Sequence, residues 1–237
     1  MKEEKYSGKM KKNPEPSFRI FSFFIIFFLI PQFTYSESID HIINGLQKYL
    51  NNTNNFTASF TQETQLQSFG EKQISSGEVY IMKPGQMTWE YQKPELQTIM
   101  INRRQVWIYT PEDNQVIKTR IEKLGTSAIY KLFLSNKIKI NDIFNISTAK
   151  EAGNSKRQTF FLELFPKNTE INIHKVIIEL SRVSYEIKSF ATYDQMDNIT
   201  TVKFIRAKRN KGINPSIFDF KIPDGVEIIT SEDLGAS

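Results

Sequence analysis

The chain changes its hydrophobic rhythm twice. Phe21 to Ile30 reads FSFFIIFFLI, behind a basic stretch ending at Arg19 and ahead of Pro31 and the small-residue pattern Thr34-Tyr35-Ser36. So short a run cannot cross about 30 Å of hydrocarbon, and its layout predicts a secretory signal peptide over 1–36, with cleavage near Ser36. The rhythm then becomes helical. Ser38 precedes Ile39, Ile42, Ile43, Leu46 and Leu50, whose spacing marks one face of an amphipathic helix with Ser38 as its N-cap. The polar cluster Asn51 to Asn55 ends it.

From Phe56 onward the period is two. Phe56, Ala58 and Phe60 alternate with Thr57, Ser59 and Thr61; Ser75, Gly77, Val79 and Ile81 continue the pattern, as do the pairs Trp89/Tyr91 and Trp107/Tyr109. Turn signals at Pro84-Gly85, Pro94, Asn102 to Arg104 and Pro111 to Asn114 separate these runs, which predicts an antiparallel meander. One helical stretch interrupts it: Thr126 to Asn136 places Ile129, Leu132 and Phe133 on one face, with Ser127 as the expected cap, and a further helical turn is expected over Asp142 to Ile146. Strand patterns resume at about 157 to 166, 173 to 183, 185 to 193 and 199 to 208, and a last one is expected from Phe218 to Ile229. The expected fold is mainly β (α+β). It is a curved antiparallel sheet forming an incomplete barrel of about 10–11 strands, with helices over its concave face, in one domain over 37–237. Such an interior suits apolar ligands.

Composition narrows the chemistry. Of the formal net charge of +5 in 237 residues, Met1 to Ser36 holds six basic and three acidic residues, leaving +2 for the remainder. The basic run Lys203, Arg206, Lys208, Arg209, Lys211 alternates with Phe204 and reads as the solvated face and end of a strand, with no nucleic acid partner. Absence of cysteine removes disulfides, thiolate catalysis and an N-terminal lipid anchor. With two histidines, His41 and His174, far apart in sequence, a metal site is not expected. No GxSxG, HExxH, P-loop or GxGxxG motif occurs, so the chain does not read as an enzyme, and neither catalytic residues nor a cofactor is assigned.

The segment from Phe56 to Val116 carries a resemblance. Phe56 and Phe60 with Gln62, then Ser76-Gly77, Lys83-Pro84, Trp89-Glu90-Tyr91, Pro94, Trp107-Ile108-Tyr109-Thr110-Pro111, and finally FDFKIPDGVEII at Phe218 to Ile229 follow in an order that resembles the periplasmic lipoprotein carriers of the LolA family. The resemblance implies a half-open barrel with a helical lid, enclosing a cavity that shields lipoprotein acyl chains between inner and outer membranes. It also implies three kinds of partner: acylated lipoproteins as cargo, an inner-membrane ATP-driven release complex, and an outer-membrane acceptor lipoprotein. The carrier itself would be a periplasmic monomer. The chain has Lys83 where the family usually has arginine and Met87 where a larger aromatic is usual. The resemblance puts Lys83 at the cavity mouth as a latch, donating to backbone carbonyls of the lid segment Ser127 to Leu134, in which Ile129, Leu132 and Phe133 face inward.

Elementary energetics agree that such a carrier needs a shield. At about 0.8 kcal/mol per methylene, one sixteen-carbon chain costs on the order of 12 kcal/mol to expose. Phe56, Phe60, Val79, Ile81, Met87, Trp89, Tyr91, Ile101, Trp107 and Tyr109 are the candidate lining. Alternation determines which residues share a face but not which face is hollow, so about half of them are assigned to the cavity and the others to packing. Two other readings compete: a lipid- or lipoprotein-binding envelope sensor of similar fold, and a carboxylate-dependent hydrolase.

Overall fold

A computed structural model describes residues 37–68, 70–124, 127–136, 139–149, 158–168 and 172–230. The expected signal segment 1–36 and the side chain of Ser127 lie outside the described residues. Helix α1, Ile39–Asn51, begins where the spacing places it: Ser38 Oγ accepts from the His41 backbone N–H at 3.3 Å. Its buried face is Ile42, Ile43, Leu46, Tyr49 and Leu50. Gly45 lies against the Tyr185 ring, and a methyl group there would collide with it.

The meander follows as β1 (Asn55–Leu66), β2 (Glu71–Met82), β3 (Gln86–Lys93), β4 (Gln97–Asn102), β5 (Gln105–Thr110) and β6 (Gln115–Arg120). Helix α2 (Ser127–Leu134) and the single turn α3 (Ile140–Ile143) lead into a second meander: β7 (Phe144–Thr148), β8 (Thr159–Pro166), β9 (Ile173–Ser181), β10 (Ile187–Asp194) and β11 (Ile199–Arg209). Pairing of β1 with β11 fuses the two halves, and β12 (Glu227–Thr230) completes a curved, unclosed sheet of 12 strands in the order β12-β6-β5-β4-β3-β2-β1-β11-β10-β9-β8-β7. The incomplete barrel is therefore as expected in kind. The count exceeds 10–11 because β7, starting at Phe144, is a short end strand that begins inside the stretch where a helical turn is expected.

Two local expectations are corrected. The helical turn expected at Asp142 to Ile146 ends at Ile143, and Phe144 onward pairs with β8. Phe218 to Ile229 is not one strand: Phe218 closes a 3-10 turn, Pro215–Phe218, and only Glu227–Thr230 is extended, parallel to β6. The parallel sense has a topological cause. The chain leaves β11 beside the start of β1, crosses the outer face and reaches Asn114, where Glu227 N–H donates to Asn114 O at 3.0 Å; from there it runs alongside β6 in the same direction.

The sheet buries both faces over its first half. The inner face, with α1 and α2, forms the main core. On the outer face the Pro215–Phe218 turn lies over β3 and β4, Thr88 Oγ1 donates to Ile217 O at 3.3 Å, and Met100, Val116 and Phe218 are buried. On the inner face Gly77 stands opposite Phe60 on one side and Tyr91 on the other, at a register shift between β2 and β3. Missing a side chain there, the sheet lets the Phe60 ring meet Trp89 and Tyr91 edge-on at centroid distances of 4.7 and 5.1 Å. A Cβ on Gly77 would strike the Glu90 carbonyl oxygen, which is backbone and cannot swing aside. Gly77→Ala is therefore expected to cost about 1–3 kcal/mol, read as a lower urea midpoint at unchanged slope.

Candidate functional site

Cross-strand register separates the candidate lining into two faces. Directly opposed residues share a face, and the chain of pairs Phe56↔Ile81↔Met87↔Ile101 and Ala58↔Val79↔Trp89↔Ile99 defines the inner one. Phe60 and Tyr91 belong to it through Gly77. Trp107 and Tyr109 do not: they pair with Met100 and Thr98 on the outer face, and Tyr109 lies 5.8 Å from the Phe220 ring. Both strands alternate with the same period, so W-x-Y reads identically from either side; only the β4–β5 register distinguishes them.

The inner aromatics form one cluster. Besides the Phe60 contacts, Trp89 lies 6.5 Å from Tyr91 and 6.4 Å from Phe204, and Phe204 lies 5.3 Å from Phe56 and 5.9 Å from Phe190. Two small cavities remain beside this cluster. One, about 110 Å³, is walled by Met87, Trp89, Tyr91 and Ile99 of the sheet and by Ile129 and Phe133 of α2. The other, about 20 Å³, lies between Phe56, Ile81, Phe204, the end of α1 and Phe133. Phe60, Val79 and Ile101 are fully packed and line neither. Of the lid residues, Ile129 and Leu132 are buried, and Phe133 borders both cavities while lying 6.0 Å from Phe190.

Sequence reasoning misses Phe204, Phe190 and Val202. Phe204 sits among the charges of β11, which reads as a solvated face; its inward side is revealed only by its pairing with Phe60. The inward alternation Phe190-x-Thr192 on β10 is the available signal for the second.

Lys83 makes a different contact from the expected one. Its Nζ donates to Leu50 O at 2.7 Å, a carbonyl of the last turn of α1, and not to α2. The Thr53 backbone N–H also donates to Leu50 O, at 3.2 Å, so the cation adds a second donor to a helix-end carbonyl and complements the helix dipole. The α2 contact falls two residues on: the Gly85 backbone N–H donates to Leu134 O at 3.1 Å. Gly85 adopts φ +79°, a conformation that glycine takes without strain, and its carbonyl accepts from Arg103 N–H at 2.6 Å. One turn thus ties the C-terminal ends of both helices to the sheet.

Comparison with known proteins gives one family. Residues 51–221 match the model described as outer membrane lipoprotein carrier protein LolA. An outer-membrane lipoprotein carrier protein of Hahella chejuensis is 31% identical over 189 residues, 79% of this chain and 87% of that protein. One of Nitrosomonas europaea is 27% identical over 188 residues, 79% of this chain and 88% of the other. Among solved structures, an uncharacterized conserved protein from Thermus thermophilus shares the fold with TM-score 0.50 at 13% identity, covering 82% of this chain and 99% of that one.

Burial pushes the Lys83 ammonium down from the ordinary 10.5 to about 8. Below pH 8 the folded and unfolded chains both carry the charge, and its desolvation cost is present in full. Between pH 8 and 10.5 the folded protein sheds a proton that the unfolded chain keeps, so this group's contribution to stability rises with pH. Wild type is accordingly expected to gain stability relative to Lys83→Met between pH 7 and pH 10, measured by urea unfolding of both proteins; a constant difference would show that the amine is not desolvated.

Proposed function

The chain belongs to the LolA family of outer membrane lipoprotein carriers, and from that membership we propose that it is a soluble periplasmic carrier that shields lipoprotein acyl chains between the inner and outer membranes. The observation that carries this reading is the aromatic inner face roofed by α2, with small apolar cavities beneath the roof. A cavity of about 110 Å³ falls well short of the roughly 300–1,000 Å³ of sites that enclose drug-sized ligands. Loading therefore requires α2 to move off Met87, Trp89 and Tyr91. Ile129, Leu132 and Phe133 are the lid face, and Phe56, Ile81, Met87, Trp89 and Tyr91 the wall it uncovers.

Residues 1–36 serve as the export signal. Cargo arrives from an ATP-driven release complex in the inner membrane and leaves to an acceptor lipoprotein in the outer one. The hold on the closed lid lies at the Lys83–Gly85 turn, with Lys83 securing α1 and the Gly85 amide securing α2. No helix among the described residues is long and apolar enough to cross a membrane, and no catalytic step is assigned to the site.

Native mass spectrometry with a triacylated cysteine peptide tests the proposal. Wild type should retain the peptide, and Trp89→Glu, which sets a charge in the apolar wall, should retain at least about tenfold less while its circular dichroism remains that of a folded β protein. Equal loading of the two proteins would place lipid binding elsewhere.

A further inference from the structure

The inner face changes chemistry along its strands. Around Phe60, row after row is apolar or aromatic. Two residues further along β1 the row is Ser75, Gln62, Val202 and Phe190; two further still it is Gln73, Thr64, Thr200 and Thr192, all directly opposed across four neighbouring strands. This last row is polar throughout and carries no charge. Ser75 of the nearer row and Thr192 of the farther one are buried nonetheless, while Gln62, Thr64 and Thr200 are half-buried and Gln73 is exposed. A face that served only as core would have no reason to bury hydroxyls at its end.

Gln62 and Tyr91 stand where the two chemistries meet. Both border the apolar cavity under α2, and both border a second, polar cleft of about 220 Å³ with Gln73, Ser75 and Gln97. Tyr91 Oη donates to Gln62 Oε1 at 3.0 Å, which leaves the two N–H donors of Gln62 Nε2 for another acceptor. Burial holds the Tyr91 phenol in its neutral form. Thr64 and Thr200 share a hydroxyl hydrogen bond at 3.4 Å, and Thr192 Oγ1 donates to Thr200 O at 3.4 Å; each hydroxyl retains an unused lone pair. The charged residues of the cleft are Lys93 and Glu95, of opposite sign.

We infer that this polar end is a headgroup subsite for the neutral junction of an acylated cysteine, the ester and amide carbonyls and first peptide groups, and that it selects against lipids whose head bears a phosphate. The inference rests on the acyl-carrier reading above and adds where the polar junction of the cargo sits and which headgroups that place excludes. With chains under α2, the junction of an amphiphile falls beside Gln62, and its carbonyls meet amide and hydroxyl donors. A phosphate in the same place would exchange water for neutral groups and a cleft whose one cation is offset by Glu95.

Competition between the triacylated cysteine peptide and phosphatidylglycerol of equal chain length, read by native mass spectrometry, tests it. Wild type should favour the peptide by tenfold or more. Thr64→Val/Thr200→Val, which keeps shape and β propensity while removing two hydroxyls, and Gln62→Leu should each bring the ratio towards parity. Equal loading of wild type with both lipids, or an unchanged preference in folded variants, would overturn the inference while leaving the carrier reading intact. Retention of neither lipid by wild type would overturn both.

Discussion

The fold is arranged around one shortage: a curved sheet of 12 strands presents more apolar inner surface than α1 alone can cover. Helix α1 covers part of that surface. Its N-cap, the Gln47 side chain accepting from Ile140 N–H at 2.8 Å, the close Gly45–Tyr185 contact and the Lys83 bond to Leu50 O all fix it in place. What is left is roofed by α2, eight residues long. The site is thus where cover is thinnest.

The β2–β3 turn gives this arrangement its mechanical logic. A side-chain donor holds α1 at Leu50, and a backbone donor holds α2 at Leu134. The two bonds differ in kind: the Lys83 Nζ bond depends on the identity of the side chain, whereas the Gly85 bond needs only a turn that can adopt φ +79°. A substitution at Lys83 therefore acts first on α1, and reaches α2 through the shared turn. An arginine at this position would have a planar fork that can serve two carbonyls, while lysine offers a point charge on a flexible stem; a division of labour between Lys83 and the Gly85 amide suits the residue this chain has.

Local periodicity was enough to read α1, the first meander and the apolar face of α2, because each is decided by spacing within one element. What stayed hidden depends on pairing between elements. Trp107 and Tyr109 carry the same alternation as Trp89 and Tyr91, and only the β4–β5 register sends them outward. Phe204 looks solvent-facing among Lys203, Arg206 and Lys208 until β1 pairs with it. The closing segment looked like one strand because Phe218 and Phe220 suit a strand; they cover the outer face, and the chain crosses over before it pairs with β6. The resemblance assigns Lys83 to carbonyls of the α2 segment, but two helices end near it, its partner is Leu50 O of α1, and spacing cannot choose between them.

Magnitudes indicate why a small roof is appropriate to a carrier. Burying Ile129, Leu132 and Phe133 is worth about 1.5–3 kcal/mol each, so the lid face is held by roughly 5–9 kcal/mol of apolar burial. A single sixteen-carbon chain gains on the order of 12 kcal/mol by leaving water. In the carrier role proposed above such a chain would therefore displace the lid, and the empty protein would close over its own aromatics. A helix twice as long would compete with the cargo on even terms or win. No lid at all would leave Trp89 and Tyr91 to the solvent, where an exposed aromatic patch invites association. On the readings proposed above, a short amphipathic roof held by a backbone hydrogen bond lies between these failures, and the neutral polar rows beyond Gln62 would give an amphiphile somewhere to leave its carbonyls while its chains take the place of α2.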